Sequence, residues 1–232
     1  NEVMYLAQKE NLWRNNALST IPLDGSWDTI STGWMKYSWR LPDTTMEINA
    51  LAVSTSPAHR LYIGTDKKKI YKMNNANTGD PTPVDITANI MPASGYISGI
   101  AVDPRDADKV MVVFSNYKVY SIYYSENGGT SWIKVAGNLE QTSSGSGNGP
   151  SVRCARIVPV GVGTIYLVGT SVGLFATDSL IADETVWVQQ APNSIGNVVV
   201  TAIDARDSDG FVAIATHGNG VYTTNYTSVS EV

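Results

Sequence analysis

Cysteine is nearly missing: Cys154 stands alone in 232 residues, so no intrachain disulfide forms and no pair of thiolates holds a structural zinc. Histidine is almost as scarce, with His59 and His217 the only imidazoles, too few for a metal centre built on that ligand. Charge is thin as well, at 16% Asp, Glu, Lys and Arg and a net −5. The basic residues are scattered apart from Lys67-Lys68-Lys69, which leaves no continuous positive surface for a polyanion and argues against a nucleic acid partner. No apolar run approaches the ~20 residues of a membrane helix, and Asn1-Glu2-Val3 lacks the basic and apolar regions of a signal peptide. The chain as given reads as soluble, without membrane insertion, and nothing in it asks for a cofactor.

What is abundant is glycine (20), tyrosine (12) and tryptophan (6), within 43% hydrophobic residues. Segments rich in Val, Ile, Thr and Tyr alternate with clusters of Gly, Asn, Asp and Ser, which is an all-β composition. One unit recurs. Leu51 to Thr65, Ile100 to Ser115, Ala155 to Thr170 and Ala202 to Thr216 each read as an apolar strand, a polar turn and a second apolar strand ending in Thr or Ser. An aromatic flanked by an aliphatic follows each one, at Ile70-Tyr71, Val119-Tyr120, Leu174-Phe175 and Val221-Tyr222, predicting a third strand. A fourth is predicted around Gly25-Ser26-Trp27, Thr130-Ser131-Trp132 and Glu184-Thr185-Val186-Trp187, with Pro83-Val84-Asp85-Ile86 in that place in the second unit. The N-terminal segment enters late, with Val3 to Ala7 as a second strand and Leu12-Trp13 opening a third.

Units spaced by roughly 46 to 57 residues match propeller blades better than the shorter, more regular repeats of solenoids. A four-stranded antiparallel blade cannot bury both faces alone, so blades stack around an axis and cover one another. The expected fold is an all-β, single β-propeller domain or propeller fragment, with blades near residues 1–48, 49–96, 97–150, 151–198 and 199–232. About four and a half blades are present on this reading. An isolated arc would expose strand edges and an apolar blade face, so the expectation is a piece of a larger ring. The alternative is a five-bladed ring closed by residues 227–232 joining the N-terminal sheet. The polar stretch 141–150 reads as a flexible surface loop between blades.

The most specific motif is Ser125-Glu126-Asn127-Gly128-Gly129-Thr130-Ser131-Trp132. It resembles the Asp-box, or BNR repeat, Ser-x-Asp-x-Gly-x-Thr-Trp, of sialidase-like, sortilin-like and xyloglucanase-like propellers, with Asn127 for the Asp and Ser131 for the Thr. A short polar side chain at 127 can bond the amides of a tight turn, glycine tolerates positive φ, and the tryptophan packs beneath the hairpin. The resemblance implies that Ser125, Asn127, Gly129, Ser131 and Trp132 form a structural staple remote from any catalytic centre. Ile100 to Pro104 and Ala215 to Tyr222 are similar to blade phrases of large secreted bacterial propellers, which implies an extracellular or cell-surface location.

Functional candidates are fewer. Trp34, Tyr37 and Trp39, beside Lys36 and Arg40, form a possible contact for a sugar or a protein partner; strand alternation would instead bury Tyr37 and Trp39 between blades. The turns Asp103 to Asp108 and Asp204 to Asp209 share the spelling Asp-x-Arg-Asp-x-Asp. That spacing invites a calcium reading, though Asp/Pro/Arg turns are ordinary hairpin chemistry. Asp24, Asp66, Glu126 and Asp178 supply carboxylates that no motif pairs for glycoside hydrolysis, and the Phe/Tyr-Arg-x-Pro opening of sialidases is absent. His217 falls in a glycine turn, and Asn225-Tyr226-Thr227 matches the N-glycosylation pattern. No catalytic, cofactor-binding or metal residue is assigned. The expected function is a non-enzymatic extracellular interaction module for a protein partner or a glycan, its remaining blades supplied by the parent protein. The alternatives are a fragment of a xyloglucanase-like glycoside hydrolase and a structural passenger of a larger secreted assembly.

Overall fold

β-branched and aromatic residues alternating with small ones suit pleated strands buried on both faces, and the chain puts them into five successive antiparallel sheets. The structure is a computed structural model and describes residues 3–26 and 31–232. The first sheet holds β1 (Met4–Gln8), β2 (Asn11–Asn15) and β3 (Trp34–Arg40). The second runs β4 (Ile48–Thr55), β5 (Ala58–Thr65), β6 (Ile70–Met73) and β7 (Val84–Asp85). The third runs β8 (Ile97–Asp103), β9 (Asp106–Phe114), β10 (Ile122–Ser125) and β11 (Ile133–Lys134). The fourth runs β12 (Val152–Val160), β13 (Gly163–Thr170), β14 (Gly173–Thr177) and β15 (Val188–Gln189), and the fifth holds β16 (Val200–Arg206), β17 (Phe211–Thr216) and β18 (Val221–Asn225). Every sheet is a meander in which chain neighbours pair.

The opening strands β4, β8, β12 and β16 pack against one another in series, which puts them innermost and radiates the rest of each sheet outward. The fold is a β-propeller architecture. The core lies between sheets, where Tyr62, Phe114, Ile122, Ile157 and Val168 are fully buried in one continuous cluster. Full burial of side chains of this size is worth roughly 1.5–3 kcal/mol each.

Two strand positions differ from the sequence reading. The third strand of the third sheet begins at Ile122, after Val119-Tyr120, because Tyr120 is used as a cross-link. Its hydroxyl donates to Asp183 Oδ1 at 2.8 Å and accepts from the amides of Ala136 (3.0 Å) and Gly137 (3.3 Å). Among the described residues the last strand of the first sheet is Trp34–Arg40; of the predicted Gly25-Ser26-Trp27, Gly25 and Ser26 lie outside strands and Trp27 lies outside the described residues. Tyr37 at the centre of this seven-residue strand is 1% exposed, and the glycine at 25 weakens the segment before it as a strand. Within residues 141–150, Gly145 is buried against the Tyr120 backbone. A Cβ there would stand 2.2 Å from the Tyr120 nitrogen, so glycine is needed for the loop to pack.

Candidate functional site

The turn from Ser125 to Trp132 is held by side chains. Ser125 Oγ accepts from the amides of Gly129 (2.9 Å) and Asn127 (3.3 Å) and donates to Asn127 Oδ1 at 3.0 Å. Asn127 Oδ1 also accepts from the Ser131 amide at 2.8 Å, while its Nδ2 donates to Ser131 Oγ at 2.7 Å. An Asn at 127 therefore bonds amide and hydroxyl at once. Gly129 has φ of 83°, and a Cβ there would meet Ile86 Cδ1 at 2.5 Å, so the turn needs glycine for both dihedral and space. Lys72 Nζ donates to the Gly128 carbonyl at 2.6 Å, tying this turn to the second sheet.

Trp132 repeats a device used again one blade later. Its indole donates to the Ile86 carbonyl at 3.0 Å, just past β7. The Trp187 indole donates to the Val135 carbonyl at 2.8 Å, just past β11. Each tryptophan precedes a two-residue closing strand and reaches the end of the same strand in the preceding sheet. Pro83, buried ahead of β7, holds that place in the second sheet.

The Asp-rich turns are also inter-blade fastenings. Arg105 grips Asp103 at 3.0–3.1 Å within its own turn and donates to the Gly163 carbonyl and Thr164 Oγ1 of the fourth sheet. Asp108 pairs with Arg60, Asp207 with Arg156 and Asp209 with Arg206. These carboxylates face guanidinium groups, and among the described residues no three His, Cys, Asp or Glu are grouped to hold a metal ion.

The aromatic segment on β3 does not present three rings together. Tyr37 is 1% exposed and donates from its hydroxyl to the Ala76 carbonyl, so it has no surface for a ligand. Trp39 is half-buried edge-on to Tyr71, 5.3 Å between centroids, and Trp34 is half-buried where β3 begins. Burial pushes the Cys154 thiol up to about 12, which favours its protonated form. His217 sits in the Thr216–Gly220 turn, its amide donating to the Val199 carbonyl at 2.8 Å.

The inner strands carry a feature that the sequence reading missed. Pairing slips by one residue near the start of each, between Ile48 and Ala50, Ile97 and Gly99, Val152 and Cys154, and Val200 and Ala202. The extra residues are Asn49, Ser98, Arg153 and Thr201. A bulge leaves one residue unpaired and re-aims its side chain, so in four successive blades a polar residue leaves the ladder at the same position. Each bulge has one spelling: a buried Ile or Val, the polar residue, then Ala, Gly or Cys. The small residue lets neighbouring inner strands approach, since a Cβ on Gly99 would lie 3.3 Å from Cys154 Cα.

Ser98, Arg153 and Thr201 line one cleft of about 340 Å³ with Tyr96 and Ser115. Ser98 Oγ donates to the Val152 carbonyl at 2.7 Å across two blades, and Thr201 Oγ1 to the Ala215 carbonyl at 3.1 Å. Asn49 Nδ2 is buried with no hydrogen-bond partner. Arg153 is exposed, whereas Arg60, Arg105, Arg156 and Arg206 are each paired with a carboxylate. The cleft thus offers hydroxyls, a guanidinium and the 43%-exposed ring of Tyr96, the groups that recognise a polar ligand by hydrogen bonding and stacking.

The fold places the chain among the propellers, and known structures agree. Residues covering 98% of the chain superpose on 34% of a GH74 enzyme from Niastella koreensis, a propeller, with a TM-score of 0.54 and 17% identity. The same 98% superposes on 26% of the extracellular domain of a putative hybrid two-component system from B. thetaiotaomicron, with a TM-score of 0.60 and 13% identity. The chain therefore spans about a third and a quarter of those two proteins, and at such identities the likeness is one of fold. No protein-family model matches the sequence, and no curated protein matches it.

Proposed function

We propose that this chain forms blades of a larger extracellular or cell-surface propeller, and that it is a non-enzymatic module binding a glycan at the mouth of its inner strands. The observation that carries this reading is the row of four bulges, which turns Asn49, Ser98, Arg153 and Thr201 out of their ladders and puts three of them in one cleft beside Tyr96. Bulges concentrate where a side chain has to be aimed. The Ser98 and Thr201 hydroxyl oxygens as acceptors and the Arg153 guanidinium as donor, around an exposed ring, are what sugar hydroxyls and a pyranose face require. Glycoside hydrolysis needs two carboxyl groups flanking the bond, and the side chains lining this cleft include none. The turn from Ser125 to Trp132 serves this module as an Asp-box-type staple, away from the ligand.

A glycan array followed by calorimetry on the chain tests the proposal. A saturable oligosaccharide ligand is expected, with affinity falling tenfold or more in Arg153→Ala and Tyr96→Ala and no reducing sugar released. Undiminished binding in both variants would move the site elsewhere. Released sugar would make the protein a hydrolase, and capture of a protein without any glycan would replace the ligand class.

A further inference from the structure

The outer edge of the fifth sheet differs from that of the sheets before it. The third strands β10, β14 and β18 run in matching register, with Ser125, Thr177 and Thr224 opposite Val110, Tyr166 and Val212. In the third sheet Ile133 and Lys134 pair with Tyr124 and Tyr123, and in the fourth Val188 and Gln189 pair with Ala176 and Phe175. The matching residues of β18 are Thr223, which is exposed, and Tyr222, which is half-buried, and among the described residues β18 pairs only with β17. Beside this edge, between the fourth and fifth sheets, lies a cleft of about 430 Å³ whose walls include Leu174, Gln190, Ser194, Ile195, Thr223 and Tyr226.

Gln190 follows β15 as Ile86 follows β7 and Val135 follows β11, so it holds the place whose carbonyl accepts an indole in the two preceding interfaces. Buried Ile195 stands five residues past Gln190 as buried Met91 stands past Ile86. Tyr226, one of the two rings lining the cleft, sends its hydroxyl to the Gln190 side chain, Oε1, at 3.3 Å. The cleft is continuous with the blade interface, and the same interface is closed by Trp132-Ile133-Lys134 one time and by Trp187-Val188-Gln189 the next.

We infer that this cleft and the β18 edge form a docking site for an extended peptide segment led by tryptophan. The segment adds as an antiparallel strand opposite Tyr222 and Thr223 and sends its indole to the Gln190 carbonyl. Strand addition supplies main-chain hydrogen bonds, and the indole pocket supplies selectivity. The site is separate from the mouth and independent of the glycan reading.

The probe is a synthetic peptide with the sequence of residues 129–135 of this same chain, added to the whole chain and followed by amide hydrogen exchange. Protection confined to Val221–Asn225 and the cleft wall is expected, with affinity falling at least tenfold when the peptide's tryptophan is replaced by alanine. Ser194→Trp, at an exposed wall position, is expected to abolish the protection, while Arg153→Ala leaves it unchanged. Absence of protection at millimolar peptide, or equal protection by the alanine peptide, overturns the inference. Protection that appears without peptide and grows with protein concentration overturns it too, assigning the edge to a second copy.

Discussion

The interface between the third and fourth sheets and that between the fourth and fifth are built on one template and closed to different degrees. Near the axis they are alike: Val152 and Val200 are both fully buried, and Val212 and Ile214 of the fifth sheet are 2–3% exposed. At the rim they part. Trp187 is 2% exposed, its indole on the Val135 carbonyl, its amide on Asn138 Oδ1 at 2.7 Å and its carbonyl taking Asn138 Nδ2 at 3.0 Å. The counterpart in the next interface is a single tyrosine hydroxyl contact beside an open cleft. Inner-strand packing is therefore sufficient to seat a blade, and the rim is a separate layer of stabilisation that the fourth strand brings with its tryptophan.

The sharpest way to break this contrast is Trp187→Ala. Truncating a fully packed indole loses its transfer free energy and leaves a cavity, at a cost of about 3–5 kcal/mol, and also orphans the Val135 carbonyl. A large fall in the urea midpoint at unchanged m-value is expected. Trp187→Phe, which keeps most of the apolar ring and removes the N–H, should cost the smaller part. If both variants unfold like the native chain, the rim adds nothing and the two interfaces are equivalent.

A middle-sized effect separates the buried turn after β10 in the third sheet from the exposed turn between β17 and β18 in the fifth. Ser125→Ala removes an acceptor for two amides and a donor to Asn127 in a residue 1% exposed, and is expected to cost about 1–2 kcal/mol, the range for a buried hydrogen-bonding group lost without replacement. Thr216→Ala removes an Oγ1 that serves Gly220 and Asn219 in an exposed turn, where water replaces it, and should cost less than about 0.5 kcal/mol. Matched denaturation curves of the two variants measure the difference directly.

How much of this was legible in the sequence follows from the range of the forces involved. The hairpins of sheets two to five were readable because alternation and turn chemistry are local: Leu51 to Thr65 and Ala202 to Thr216 fall on the observed strand pairs. The third strand at Val119-Tyr120 was misplaced because Tyr120 answers to Asp183, 63 residues away, and no local pattern signals that. Tyr37 was named both as a ligand contact and as a buried residue, and the tie was decided by Ala76 on the neighbouring sheet. The bulge residues were missed although their spelling repeats. Ile48-Asn49-Ala50, Ile97-Ser98-Gly99, Val152-Arg153-Cys154 and Val200-Thr201-Ala202 align only after the strands are superposed, because the polar member varies from Asn to Arg while its neighbours are merely aliphatic and small.

The smallest expected effect bears on whether the outward face of the fifth sheet is open to water. Val221 opens β18 and is 69% exposed, whereas Ile122, which opens the matching strand β10, is fully buried. Val221→Thr keeps the β-branched shape and the strand propensity and adds a hydroxyl that water can satisfy, so a change within about 0.5 kcal/mol is expected. Ile122→Thr buries the same hydroxyl in the core while removing apolar volume, and should cost several-fold more. The pair measures coverage of the face in solution. A loss at Val221 approaching that at Ile122 would mean that something packs over β18, and the contrast between the two rims would then belong to the isolated chain alone.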